Sequence, residues 1–140
     1  MISLALAKKL RGAGLEWQPA LHDFFTIPET TLEDRIFVVS DMMVDVQRLF
    51  GQQMITFNGA VEWSLDYILL IDVVWLPTEE QLREMLQNRL LAEEQPAVTL
   101  ASSVDGYRCE IQFQARRRHF DAVVAGDAYG LALLHILETT

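Results

Sequence analysis

A single cysteine, four prolines and seven glycines in 140 residues leave this chain without a disulfide framework, a Pro-rich linker or a low-complexity tract. Cys109 has no internal partner, and a secreted domain of this size rarely keeps one lone thiol, so the expected setting is the cytoplasm. Long apolar runs are missing as well. The stretches 67–71 and 131–134 fall far short of the ~18–20 residues that span a bilayer, which predicts no membrane segment. At the start of the chain, residues 4–7 are apolar and Lys8, Lys9 and Arg11 follow, the reverse of the order in a secretory signal. Basic charge is scarce: eleven Lys and Arg stand against twenty Asp and Glu, for a formal net charge of −9. Such a charge repels phosphate backbones and anionic lipid and argues against general nucleic-acid binding. The motifs of common chemistries are also absent, with no Gly-rich phosphate loop, Gly-x-Ser-x-Gly elbow, His-Glu-x-x-His or Cys-x-x-Cys. His22, His119 and His135 share no metal-ligand spacing. No catalytic residue, metal or cofactor is therefore expected.

What the chain does have is a core. Apolar side chains make up 51% of it and charged ones 22%; a chain this long buries roughly 68–70% of its unfolded surface without a staple. The pattern predicts one domain over 1–140, with 1–95 and 96–140 as subdomains sharing a core. Ser3, then Leu4, Ala7 and Leu10 at helical spacing, then Gly12 and Gly14, predict a short amphipathic helix. Residues 24–27 and 35–40 read as strands, the second β-branched and apolar enough for the middle of a sheet. Helix-forming residue types over 42–49 compete with an alternating pattern; the alternation, Gly51 and the run 54–57 favour a β-hairpin. Asn58-Gly59 marks a turn, after which a helical turn over 60–65 and then extended chain are expected.

The clearest local signal is Thr78-Glu79-Glu80-Gln81, a capping box with acid in the first turn. It opens a helix with Leu82, Met85, Leu86 and Leu90 on one stripe. Residues 97–101 then read as a strand and Asp105-Gly106 as a turn. Tyr107, Cys109, Ile111 and Phe113 alternate along a second strand that is buried on one side, so Cys109 is expected to be a small core residue. A basic turn at Arg116, Arg117 and Arg118 leads to a third strand over 119–124, and Gly126-Asp127 caps a last helix over 128–137. The fold class is α+β: antiparallel sheets packed against amphipathic helices, with a C-terminal β-meander plus helix.

Candidate functional residues are few. Asp34, Asp41, Asp45, Glu62, Asp66 and Asp72 gather acid in one stretch. Paired carboxylates hold a cation or do acid–base work only where they converge, and in so acidic a chain solvated carboxylates at turns are the ordinary state. Asp41, Asn58, Glu62, Trp63 and Asp66 are the candidate binding residues, set against a structural reading in which Trp63 covers the core and Asn58 and Asp66 serve turns and caps. Arg116, Arg117 and Arg118, near Arg108, form the one dense basic run, a candidate anion contact or simply a wet turn. The last helix has no charge between Asp127 and Glu138, with His135 counted neutral, so it must be covered on most sides. Ala128, Gly130 and Ala132 allow close backbone approach. The helix is either central or forms a dimer contact through Tyr129, Leu133 and Ile136.

Through residues 6–17, Phe37-Val38-Val39-Ser40-Asp41-Met42, Phe57-Asn58-Gly59 with Glu62-Trp63-Ser64-Leu65-Asp66, Trp75-Leu76-Pro77 with Gln81-Leu82-Arg83, and the last helix, the chain resembles a family of bacterial proteins of similar length. Members are often actinobacterial or phage-associated, and the family has no established activity. The resemblance implies a hairpin around Gly51, where the similar chains carry a Pro/Gly turn and this one carries Leu49-Phe50. The leading expectation is a non-catalytic cytoplasmic protein-interaction module that self-associates as a homodimer, through the last helix or an edge strand of the meander. One alternative is a small hydrolase or metal-dependent acid–base catalyst built on Asp41, Glu62 and Asp66. The other, by fold analogy, is a nucleic-acid-binding or antitoxin-like regulator centred on Arg116 to Arg118.

Overall fold

The structure, a computed structural model, describes residues 1–28, 35–40, 44–49, 51–57, 67–69 and 72–140, with backbone only for 44–49, 54–57 and 67–69. In chain order the described elements are α1 (Leu4–Gly12), β1 (Phe24–Thr26), β2 (Phe37–Val38), β3 (Val44–Leu49), β4 (Gln52–Phe57), β5 (Tyr67–Leu69), β6 (Val74–Leu76), α2 (Glu79–Arg89), β7 (Val98–Ser103), β8 (Gly106–Phe113), β9 (Arg116–Ala122) and α3 (Ala125–Thr139). The strands form antiparallel sheets in the orders β2-β1-β6, β3-β4-β5 and β7-β8-β9. The class is α+β, and the chain ends in a meander plus helix. Two compact units divide it: unit 1 is Met1–Glu16 with Pro77–Thr140, and unit 2 is Trp17–Leu76. The expected break at residue 95 therefore falls inside unit 1, because α2 packs on α3 and touches β7.

Unit 1 follows its local signals closely. Ser3 caps α1 by accepting from the Leu6 N–H, and Leu6, Ala7 and Leu10 are buried. The capping box of α2 is complete: Thr78 Oγ1 accepts from Gln81 N at 3.2 Å, and Gln81 Oε1 accepts from Thr78 N at 2.9 Å. Leu82, Leu86 and Leu90 are fully buried. Along β8, Cys109, Ile111 and Phe113 are buried while Arg108 is exposed, the alternation of a strand covered on one side. The loop before β8 is Val104-Asp105, one residue earlier than expected, since Ser103 pairs with Gly106.

Helix α3 is covered by its own unit. It rests on α1, α2, β8 and β9, and Tyr129, Leu133 and Ile136 are 5%, 0% and 2% exposed. They are core residues and present no side-chain surface to a second copy, which corrects their assignment to a dimer interface. The backbone that approaches the small residues is the chain's own N-terminal segment. A Cβ at Gly126 would lie 2.8 Å from the Ile2 backbone nitrogen, and one at Gly130 would lie 2.7 Å from Leu6 Cδ2. Ser3 N donates to Asp127 Oδ1 at 2.7 Å, which ties α1 to the first turn of α3. The helix begins at Ala125 without a side-chain cap, so Asp127 sits in its first turn and is not its cap.

In unit 2, β1 is the middle strand of its sheet and β2 an edge. The apolar run 35–40 is thus not a central strand; Ile36 and Val38 are 55% and 38% exposed. Trp17, Phe25, Phe37 and Trp75 form an aromatic group, with Trp17 and Trp75 stacked at 6.5 Å and Phe25 and Phe37 at 5.4 Å. Asp23, 5% exposed, accepts from Trp17 Nε1 at 2.9 Å and Ala20 N at 3.0 Å. The β3–β4 hairpin has Leu49 opposite Gln52 and Gly51 at φ 78°. The Asn58-Gly59 turn and the helical turn over 60–65 lie outside the described residues.

Candidate interaction edge

The basic run of the sequence belongs to a strand. The turn between β8 and β9 is Gln114-Ala115, at φ 54° and 62°, a two-residue hairpin loop with both residues left-handed, as a type I′ turn requires. Phe113 pairs with Arg116 across it, and the Glu93 carboxylate accepts from Gln114 N at 3.1 Å. Arg116, Arg117 and Arg118 are accordingly the first three residues of β9, paired with Phe113, Gln112 and Ile111. Alternation then separates them. Arg116 and Arg118 share the helix-covered side with Phe113 and Ile111, while Arg117 stands on the open side with His119 and Asp121. The basic run thus lies on a strand and not in the turn, and its side chains are divided between the two faces of β9.

The ladder also fixes which backbone groups of β9 are free. The residues flanking a two-residue loop form a hydrogen-bonded pair, and such pairs alternate with non-bonded ones. Arg116, Arg118, Phe120 and Ala122 therefore bond to β8, and Arg117, His119 and Asp121 aim their N–H and C=O groups away from it. β9 is an edge of its sheet, and these three residues are exposed. Arg108, directly opposite Asp121, holds it with two hydrogen bonds, Nε to Oδ1 at 2.7 Å and a terminal guanidinium nitrogen to Oδ2 at 3.1 Å. That bidentate contact keeps the Asp121 carboxyl below its ordinary range and raises the guanidinium. Glu110 lies opposite His119 on the same open side.

The covered side is different in kind. Burial, with a smaller contribution from Glu110, pushes the Cys109 thiol up to about 11, so it is the core residue its alternation predicts. The His135 ring meets Phe113 edge-on at 6.0 Å and Phe120 at 5.6 Å. Arg118 Nε and His135 Nε2 are both buried and have no hydrogen-bond partner among the described residues. Asp41, Asn58, Glu62, Trp63 and Asp66, the other candidate residues, lie outside the described residues, as does Asp34; Asp72 is exposed.

The sequence points to an edge strand of the meander and to Arg117, but does not group Arg117 with His119 and Asp121. Arg108 was visible as a wet-side residue of an alternating strand, but its partner depends on the position of the turn, and Gln114-Ala115 lacks the Asn-Gly signature of that turn type. Set against protein-family models, curated proteins and solved structures, the chain matches none. Among the described residues no helix is long and apolar enough to cross a membrane.

Proposed function

We propose that the protein is a non-catalytic cytoplasmic protein-interaction module that self-associates through the edge of its meander. One observation carries this reading: β9 offers an exposed, proline-free strand edge, while α3, the other candidate contact, is occupied by its own unit. An open edge is a template for a further strand unless something blunts it. Charged side chains are one such device, but the two on the open side of β9, Arg117 and Asp121, carry opposite signs, so a second copy can meet each with the other. The lone buried thiol suits a reducing compartment. The nucleic-acid alternative has less support, because strand alternation divides the basic run between two faces.

Light scattering on a size-exclusion column, over a range of loading concentrations, tests the proposal with the wild type and His119→Pro. The His119 N–H points away from β8, so proline removes no bond of the chain's own ladder but obstructs an added strand. The expected result is a concentration-dependent dimer for the wild type and a folded monomer for the variant. A wild type that stays monomeric at every concentration overturns the reading. Leu133→Glu is not a probe of association, because it places a charge at a fully buried position and unfolds the protein instead.

A further inference from the structure

We infer that two copies of the chain join by antiparallel pairing of β9 with β9, centred on His119, so that Arg117 of each copy faces Asp121 of the other. This rests on the self-association reading above and adds to it a specific surface and register. A two-fold strand pair must bring outward-facing backbone groups together, and on β9 those belong to Arg117, His119 and Asp121. Only a few registers satisfy this. Centring on Arg117 or Arg118 sets arginine against arginine, and centring on Asp121 sets carboxylate against carboxylate; like charges directly opposite destabilise a ladder. Centring on Phe120 leaves Arg117 opposite Val123 and gives Asp121 only a histidine. Centring on His119 forms two reciprocal guanidinium–carboxylate pairs on the open side.

The neighbouring positions agree with that choice. Arg118 falls opposite Phe120 of the second copy on the helix-covered side, a cation beside an aromatic ring. Val123, 80% exposed just past the strand, falls opposite Ala115 in the other copy's turn. Asp121 already accepts from Arg108 through both oxygens, and each carboxylate oxygen keeps a second lone pair for a donor arriving from the edge. Arg117, His119 and Asp121 are exposed, so nothing among the described residues has to move aside. One edge strand buries little area, so the dimer forms with modest affinity and weakens with salt.

Thiol cross-linking reads the register. Directly opposite residues of a hydrogen-bonded antiparallel pair have Cβ atoms about 5.5 Å apart, too far for an unstrained disulfide but within the span of a short bis-maleimide, and the native Cys109 is buried. With that reagent His119→Cys is expected to give a covalent dimer. Arg117→Cys and Asp121→Cys alone should not, whereas an equimolar mixture of those two should. Arg117→Glu should weaken the wild-type dimer by about tenfold or more, since it sets two carboxylates face to face, and Arg117→Lys should retain it. A dimer seen by light scattering that His119→Cys fails to trap, or that Arg117→Glu leaves unchanged, overturns the register but leaves self-association standing. A wild type monomeric throughout overturns both.

Discussion

Arg108 and Cys109 are adjacent on β8 and point to opposite sides of it, and their chemistry divides accordingly. The thiol is shifted by burial, which penalises its charged form. The Arg108–Asp121 pair is half-exposed, at 49% and 54%, so its effect comes from two aligned hydrogen bonds and not from a dry surrounding. Asp121 should therefore titrate below the ~3.9 of a free aspartate when its carboxyl carbon is followed by NMR against pH. Arg108→Gln should return it to the ordinary range. The direction fixes the effect on stability. A carboxyl lowered in the folded state contributes above the unfolded value, and the contribution is lost as pH falls through the folded value. An Asp121 midpoint at or above ~3.9 in the wild type would show that the pair does not persist in solution.

At the scale of the element, α3 inverts an ordinary rule. Glycine to alanine inside a helix normally stabilises by roughly 0.5–1 kcal/mol. At Gly126 the new methyl would meet the Ile2 and Met1 backbone, at 2.8 Å and 3.0 Å, which cannot yield without moving the N-terminal segment. At Gly130 it meets the end of the Leu6 side chain at 2.7 Å, which can rotate. Gly126→Ala is thus expected to destabilise by about 1–2 kcal/mol, the cost of overpacking exceeding the gain in propensity, whereas Gly130→Ala should lie near zero. Urea unfolding of both variants checks the order, and equal effects would remove the distinction between backbone and side-chain contact. These contacts also mark the limit of what local sequence conveys. The capping box at Thr78 and the alternation of Cys109, Ile111 and Phe113 are legible because they are satisfied within a few residues. The apolar circumference of α3 was legible too, but not its cover, because Ser3 and Asp127 lie 124 residues apart. The same holds for β2, whose composition suits a middle strand while strand order places it at an edge. At the candidate edge, Arg108 and the basic run could be seen in advance, but the pairing with Asp121 required a turn that its two residues do not advertise.

For the whole molecule, the division into units redistributes the charge and sets what must unfold together. Unit 2 carries nine acidic and two basic residues, unit 1 eleven and nine, so the acidity of the chain resides chiefly in 17–76 and the candidate edge lies in the nearly balanced unit. Unit 1 is discontinuous: its first sixteen residues return to it by packing against α3. A nine-residue helix such as α1 is marginal in water by itself, since isolated helices shorter than ~12–15 residues rarely hold. Whatever protection its amides have must come from burying Leu6, Ala7 and Leu10 and from the close approach at Gly126. Native-state hydrogen exchange should therefore find the α1 amides from Ala7 to Leu10 as protected as those in the middle of α3, within about tenfold in rate, because the two helices open as one cooperative unit. If α1 exchanges orders of magnitude faster while α3 stays closed, residues 77–140 form the cooperative unit alone and the N-terminal helix is only an attachment to it.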